Sequence, residues 1–327
     1  PRSMLRADAM RVASGQFPRH RRRTTRILER TNLLATMPFA RRIAASPEGS
    51  TLRRIVQRLT GISASRPLPS PADHRFGAWF AARGERSVAS SRHVTVVPTC
   101  LVEHRAPQIG ADLVRVLERN GVECSVSATG CCGAPLLFGG EVARFAKTAE
   151  RNVRTLAAEV RSGADLVVPE PTCGHVIQRA YVDHVGPTRR SDAELVAEHT
   201  SDAAEYLLRL HRAADARLDT DFEGSVPRSI SHQVGGHLRA QGLGQTAADL
   251  LRLTGADVET VELDAADEVM WGRRADRVEL AAPVARRLGT AIEQAGADVV
   301  SGSSVLTNFT IEEQTGRRPL HPVEVLA

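Results

Sequence analysis

Two adjacent thiols in front of a glycine, in the stretch Thr129-Gly130-Cys131-Cys132-Gly133-Ala134-Pro135, are the most chemically pointed feature of this 327-residue chain. The chain has only five cysteines: Cys100, Cys124, Cys131, Cys132 and Cys173. Neighbouring side chains of an extended segment point to opposite sides, so adjacency adds little to a mononuclear chelate. At a turn, the same two thiols can reach different metals of one larger centre, and Gly133 lets the backbone pass close to it. Four thiolates from Cys100, Cys131, Cys132 and Cys173 suit a soft, thiophilic centre, either an iron–sulfur cluster or zinc. A vicinal disulfide between Cys131 and Cys132 is the strained third option.

The elements around these residues explain how they could meet. His93-Val94-Thr95-Val96-Val97 reads as a β-branched strand that runs into Pro98-Thr99-Cys100. Ile109 to Asn120 has a helical pattern stopped at Asn120-Gly121, and Val122 to Val126 reads as a second strand before the TGCCG turn. Glu141 to Ser162 reads as a long helix, followed by the strand Ala164-Asp165-Leu166-Val167-Val168 and then Pro169-Glu170-Pro171-Thr172-Cys173. Each cysteine loop thus follows the C-terminal end of a strand, the edge at which open parallel sheets form their crevice. Cys124, inside a strand, reads as a small buried hydrophobe.

The pattern recurs downstream. Strands are expected at Ser229-Ile230-Ser231, Val258 to Leu263 and Gly296-Ala297-Asp298-Val299-Val300, with helices at Thr246 to Leu253 and Val278 to Gln294. The phrases Gly163-Ala164-Asp165-Leu166-Val167-Val168 and Gly296-Ala297-Asp298-Val299-Val300 mark an internal duplication. Between the halves, Ala193 to Arg212 reads as a helix plus a loop. Upstream, helical patterns at Arg26 to Leu34 and Leu52 to Leu59 lead into a proline-rich linker, Ser65 to Pro71, and a short piece with Phe76, Trp79 and Phe80 as docking residues. The expected fold class is α/β: two duplicated halves, each a small, mainly parallel sheet flanked by helices, behind an α-helical segment. The expected boundaries are 1–88 for the helical segment and linker, 89–226 for the first repeat with its connector and 227–327 for the second.

Composition narrows the function classes. Hydrophobic residues make up 42% and charged ones 25%, the balance of a globular chain, and the net charge is +5. The arginines near the start, including Arg19-His20-Arg21-Arg22-Arg23, read as a solvated helical face, without the aromatic interleaving of a nucleic-acid module. No segment approaches the roughly 18–20 apolar residues of a bilayer span. No secretory signal, hydrolase triad, phosphate loop or dinucleotide fingerprint is visible. Pro1 opens the sequence in mid-pattern, and a truncated chain is the expectation.

Pro98-Thr99-Cys100, Cys131-Cys132-Gly133-Ala134-Pro135-Leu136-Leu137 and Val168-Pro169-Glu170-Pro171-Thr172-Cys173 together resemble the cysteine-rich CCG-domain family. That family includes the B subunit of heterodisulfide reductase, glycolate oxidase iron–sulfur subunits and the C subunit of anaerobic glycerol-3-phosphate dehydrogenase. The resemblance implies an iron–sulfur electron-transfer subunit that relays electrons between a flavoprotein dehydrogenase and a quinone or other carrier. It also implies an oxidoreductase component rather than a self-sufficient enzyme. The implied cofactor is a cluster of the [4Fe-4S] or noncubane kind, with Zn2+ the alternative, on Cys100, Cys131, Cys132 and Cys173 with Gly133 beside it. The implied partners are a flavoprotein dehydrogenase subunit and a ferredoxin-like module, with no nucleic acid. The implied location is cytoplasmic, with peripheral association at the inner membrane face through a partner. The family's second CCG repeat has lost its sulfur here: Gly236 in Gly236-His237-Leu238-Arg239-Ala240-Gln241, Asp264-Ala265-Ala266 and Ser304 stand where cysteine motifs belong. One cluster pocket rather than two is therefore expected. A structural zinc scaffold, or a partner-docking scaffold with vestigial thiols, is the non-redox alternative.

His104 and His175, near Cys100 and Cys173, read mainly as helix or surface residues, and His237 as structural. Glu170 stands beside the site with no role readable from sequence. The pair Gly139-Gly140 reads as a turn.

Overall fold

The computed structural model describes residues 38–84, 92–213, 218–222, 224 and 226–327. The apolar pattern at 26–34 lies outside the described residues. Helices α1 (Pro38–Ala44), α2 (Thr51–Thr60) and α3 (Phe76–Ala82) come first. The first half then runs β1 (His93–Val96), α4 (Thr99–His104), α5 (Pro107–Arg119), β2 (Glu123–Val126), α6 (Ala134–Phe138), α7 (Val142–Arg161), β3 (Ala164–Val168) and α8 (Pro171–His175). It continues through α9 (Arg190–Glu198), β4 (Thr200–Asp202) and α10 (Ala203–Arg212). The second half runs β5 (Ser229–Gln233), α11 (Gly236–Ala240), α12 (Thr246–Arg252), β6 (Asp257–Val261), α13 (Val278–Ala295), β7 (Val299–Gly302), α14 (Val305–Thr315) and α15 (Pro322–Leu326).

Among the described residues the strands form two parallel sheets, ordered β2-β1-β3-β4 and β6-β5-β7. The central strand of each half, β1 or β5, pairs with both of its next two strands, so the halves share one winding. Each crossover is a helix, as parallel pairing requires. α5 stops where Gly121 takes a left-handed φ of 70°, and α7 stops at Gly163 with φ 96°. Val94 and Val96 face one core layer with Leu113, Leu117 and Leu207. Val97, Leu166 and Val168 face the other with Phe145, Leu156 and Tyr181. Each large aliphatic side chain so buried stabilises the fold by about 1.5–3 kcal/mol.

Two expectations need correcting. The helix read over Ala193 to Arg212 is two helices with β4 between them, and β4 adds to the sheet beside β3. Asp202 ends the strand and caps α10: its carboxylate accepts from the Ala204 N–H at 2.9 Å, and Glu205 accepts from the Asp202 N–H at 3.1 Å. That Asp-x-x-Glu box was legible and marks the break.

The proline-rich stretch is also no free linker. Ile62, Ser63, Ala64 and Arg66 are buried, and the Arg66 guanidinium grips Glu313 at 2.6 and 3.0 Å. Arg273, fully buried, donates to Asp267 at 2.7 Å, Thr310 at 3.1 Å, Glu313 at 2.9 Å and the Pro67 carbonyl at 2.6 Å. Farther along, Arg105 donates to the Pro69 carbonyl, and the Ala72 N–H to the His104 carbonyl at 2.9 Å. Residues 62–72 are a strap across both halves.

The duplication is visible in the backbone where the side chains have diverged. Gly133 has φ 88°, and Ala266, which ends Asp264-Ala265-Ala266, has φ 54°. An alanine held there costs roughly 1–2 kcal/mol that a glycine avoids. Replacing Ala266 by Gly is therefore expected to raise unfolding stability by about 1 kcal/mol in urea titrations. Replacing Asp267 by Asn, which leaves the buried Arg273 and Arg66 to share the single Glu313 carboxylate, is expected to lower it by about 3 kcal/mol.

Candidate functional site

The C-terminal ends of β1, β2 and β3 release three loops on one edge of the first sheet, and the four cysteines meet there. Cys100 Sγ lies 3.9 Å from Cys131 Sγ, and Cys132 Sγ lies 3.1 Å from Cys173 Sγ. Cys132 and Cys173 are buried, while Cys100 and Cys131 are partly exposed. All five thiols are free. Cys124 lies apart on β2, where burial pushes its thiol up to about 12.

The loops are held by the residues behind them. Asn152 on α7 donates to the Cys131 carbonyl at 3.0 Å and to the Tyr181 hydroxyl at 2.8 Å, and Tyr181 donates to the Cys132 carbonyl at 2.9 Å. Both carbonyls of the cysteine pair are thereby held in place. Gly133 is required twice over: by its positive φ, and because a Cβ there would lie 2.9 Å from the Phe145 ring. Thr99 holds the left-handed region without being glycine, at φ 56°, immediately before Cys100.

Electrostatics separates Cys131 from Cys100 and Cys132. The Cys100 thiol and the Gly133 N–H, 3.4 Å away, donate toward Cys131 Sγ and, with the Cys132 thiol beside it, hold its pKa well below the ordinary thiol range. The interaction with Cys131 pushes the Cys100 and Cys132 thiols up, and burial adds to it. The thiolate form, which is the metal-binding form, is thus favoured at Cys131 over Cys100 and Cys132.

The donor set, four sulfurs on three loops in a half-buried crevice, suits a thiophilic polynuclear centre. The thiols stand as two pairs. Among the described residues, no group of three or more His, Cys, Asp or Glu side chains is placed around a single ion.

Other residues singled out in the sequence fall into place. His104 ends α4, and its burial lowers its pKa. Gly139 and Gly140 form a turn before α7, with φ 76° at Gly140. The His175 ring lies 5.0 Å from the His237 ring, which in turn stacks at 6.2 Å on Phe138.

The corresponding edge of the second sheet carries no sulfur. Gly236 opens α11, Asp264 pairs with Arg239 at 2.9 Å, and Ala265 and Ala266 are buried. Counted from the strand ends, Ser304 falls at the place of Glu170, and Thr307 at the place of Cys173.

Glu170, fully buried, was given no role by the sequence. Its Oε2 accepts from the Val305 N–H at 3.0 Å, at the start of α14, and the Ser304 hydroxyl and Thr172 N–H also donate to the carboxylate. Burial nevertheless dominates and raises its pKa to about 7. Because the folded-state value lies above that of the unfolded chain, near 4.5, Glu170 favours folding below that pH and its contribution is lost as pH rises through about 7. Glu170→Gln removes this ionisation. Its unfolding free energy is expected to rise relative to the parent by up to about 3 kcal/mol between pH 4.5 and pH 8, measured by urea denaturation at both ends. An unchanged difference would rule out ionisation of Glu170 in that window.

Residues 94–178 match the model of the cysteine-rich domain family, CCG. The C subunit of the anaerobic glycerol-3-phosphate dehydrogenase of Escherichia coli (strain K12) is 23% identical over 317 residues, covering 92% of this chain and 76% of that protein. Lactate utilization protein A of Shouchella clausii is 30% identical over 130 residues, covering 38% of this chain and 51% of that protein. The B subunit of the fumarate reductase (CoM/CoB) of Methanothermobacter marburgensis is 33% identical over 84 residues, covering 25% of this chain and 16% of that protein. Residues 94–178 thus carry a cysteine-rich domain of the CCG kind.

Proposed function

We propose that this chain is an iron–sulfur electron-transfer component of a dehydrogenase or reductase assembly. Cys100, Cys131, Cys132 and Cys173 would ligate one cluster, of the [4Fe-4S] or noncubane kind, at the edge of the first sheet. The observation that carries this reading is the meeting of four free thiols from three loops, in two pairs at 3.1 and 3.9 Å. Two relatives are named as subunits of a dehydrogenase and a reductase, which supports a role inside a larger assembly. A bound cluster supplies one-electron exchange. The chain supplies the ligands, a Gly133 N–H toward sulfur and, through Asn152 and Tyr181, a fixed backbone around Cys131 and Cys132. Electrons would pass between a flavoprotein dehydrogenase subunit, a ferredoxin-like module and a quinone or other carrier. Among the described residues no helix is long and apolar enough to cross a membrane, so a place at the inner membrane face would come through a partner.

Anaerobic reconstitution of the protein is expected to yield iron and acid-labile sulfide in near-equal amounts, with visible sulfur-to-iron absorption. Cys131→Ser and Cys173→Ser are expected to lose most of both, whereas Cys124→Ser keeps them. One zinc per chain without labile sulfide would replace this reading by a closed zinc site.

A further inference from the structure

The second half has the winding of the first without its sulfur, and its loops face the cysteine loops directly. The contacts are polar and concentrated on the loop that carries Cys173. Pro169 and Pro171 flank Glu170; proline nitrogens offer no donor, which leaves the Pro169 carbonyl and the Glu170 side chain as the handles of this turn. Both are held from the second half. The Glu170 carboxylate accepts from the Val305 N–H at 3.0 Å and from Ser304. His321 Nε2 lies 3.1 Å from the Pro169 carbonyl, while His321 Nδ1 accepts from the Val323 N–H at 3.2 Å, which puts the ring proton on Nε2 and makes it the donor. His321 is itself placed by the segment before it. Leu320 lies alongside β7, its N–H donating to Val300 at 2.9 Å and its carbonyl accepting from Gly302 at 3.0 Å. Inside the turn, the Glu170 carbonyl accepts from the Cys173 and Gly174 N–H groups at 2.9 and 3.0 Å, so the residue gripped by the second half also sets the Cys173 backbone. On the other side of the crevice, the His237 ring contacts His175, beyond Cys173, and Phe138, beyond the Cys131-Cys132 pair.

We propose that the sulfur-free second half is a positioning clamp for the cysteine loops, with Glu170, His321 and His237 as its contact residues. This rests on the ligand role assigned to the four cysteines above. None of the three touches a metal in this scheme; they act by fixing where Cys173, and through Phe138 the cysteine pair, stand relative to Cys100. Residues that orient metal ligands from behind typically alter affinity by about 10–100-fold when removed.

Two readouts separate positioning from simple stability. The first is cobalt(II) titration of the cluster-free protein, followed by sulfur-to-cobalt charge-transfer absorption. The second is the electron paramagnetic resonance line shape of the reconstituted protein, normalised to bound iron. Glu170→Ala and His321→Ala are expected to weaken cobalt binding by about 10–100-fold and to alter the line shape. Glu170→Gln, which keeps an acceptor for the Val305 N–H, is expected to recover most of the affinity and the parent line shape. Folded Glu170→Ala and His321→Ala proteins with parent affinity and spectra would overturn the clamp. Should Glu170→Ala fail to show a cooperative melt, His237→Ala decides, with weakened cobalt binding expected and parent behaviour again overturning the proposal. A parent protein that takes up neither cobalt nor iron overturns the ligand reading itself, and the clamp with it.

Discussion

Parallel pairing of β1 with both β2 and β3 is the constraint from which the thiol site follows. Parallel strands all point their C-terminal ends to one edge, so the loops after them can meet however far apart they lie in sequence. The pairings Val96↔Val126 and Val96↔Val167 bring the three ends level. Cys100 and Cys131, 31 positions apart, and Cys132 and Cys173, 41 apart, then need only short loops to meet. An antiparallel partner in either position would send one loop to the opposite edge and break up the donor set. The helical crossovers α5 and α7 are therefore part of the site's construction, although neither carries a thiol.

The second half separates what the winding requires from what the chemistry requires. Its strands repeat the order of β2-β1-β3, and its loop after β6 still turns through a left-handed residue at Ala266. Nothing in the winding demands sulfur there, and the side chains have been replaced by ordinary polar contacts, Asp264 with Arg239 and Asp267 with Arg273 and Thr310. The backbone conformation has persisted even though alanine, lacking glycine's freedom, is strained in it. Gly272 helps explain the persistence: a Cβ there would clash with the Ala266 carbonyl, so two chain segments are packed against each other at this turn. Straightening Ala266 would have to move Gly272 and, next to it, the buried Arg273.

How much was legible in the sequence follows from the range of each signal. The cysteine loops were readable because each follows a segment that reads as a strand, and their meeting was readable because strand ends in a parallel sheet share an edge. β4 was lost because three polar residues, Thr200-Ser201-Asp202, carry no periodicity against two flanking helices, although the capping box at Asp202 and Glu205 is a local signal that breaks the run. The supporting residues Asn152 and Tyr181 were not readable: Asn152 lies on α7, whose apolar pattern accounts for that helix without it, and the partner of each is a backbone carbonyl far away in sequence. Glu170 stood out as a carboxylate between two prolines, yet its partners, Ser304 and Val305, lie in the other half. Short-range patterns thus gave the elements and the thiols, while the residues that fix the thiols depend on contacts that only the tertiary fold creates.

The strap at 62–72 shows why such contacts are ionic here. Its sequence, from Ile62 through Ser63, Ala64, Ser65, Arg66 and Pro67, has one large aliphatic side chain, so apolar burial alone gives it little hold and no preferred register. Burying Arg273 among apolar neighbours would cost several kcal/mol were any of its donors left unmade. Its guanidinium is instead met by Asp267, Thr310, Glu313 and the Pro67 carbonyl, and Glu313 is shared with Arg66. The backbone seals the same register, with the Ser63 N–H on the Arg273 carbonyl at 2.7 Å and the Ala275 N–H on the Gly61 carbonyl at 2.9 Å. A greasy strap could slide by a residue and lose little. In this one, a one-residue shift would carry the Pro67 carbonyl away from Arg273 and Arg66 away from Glu313 at once, leaving the Arg66 charge without its carboxylate and a buried Arg273 donor without its acceptor. The penalty for sliding is therefore much larger than the net stabilisation the pairs provide in place. That asymmetry fixes residues 62–67 against the second half in a single arrangement.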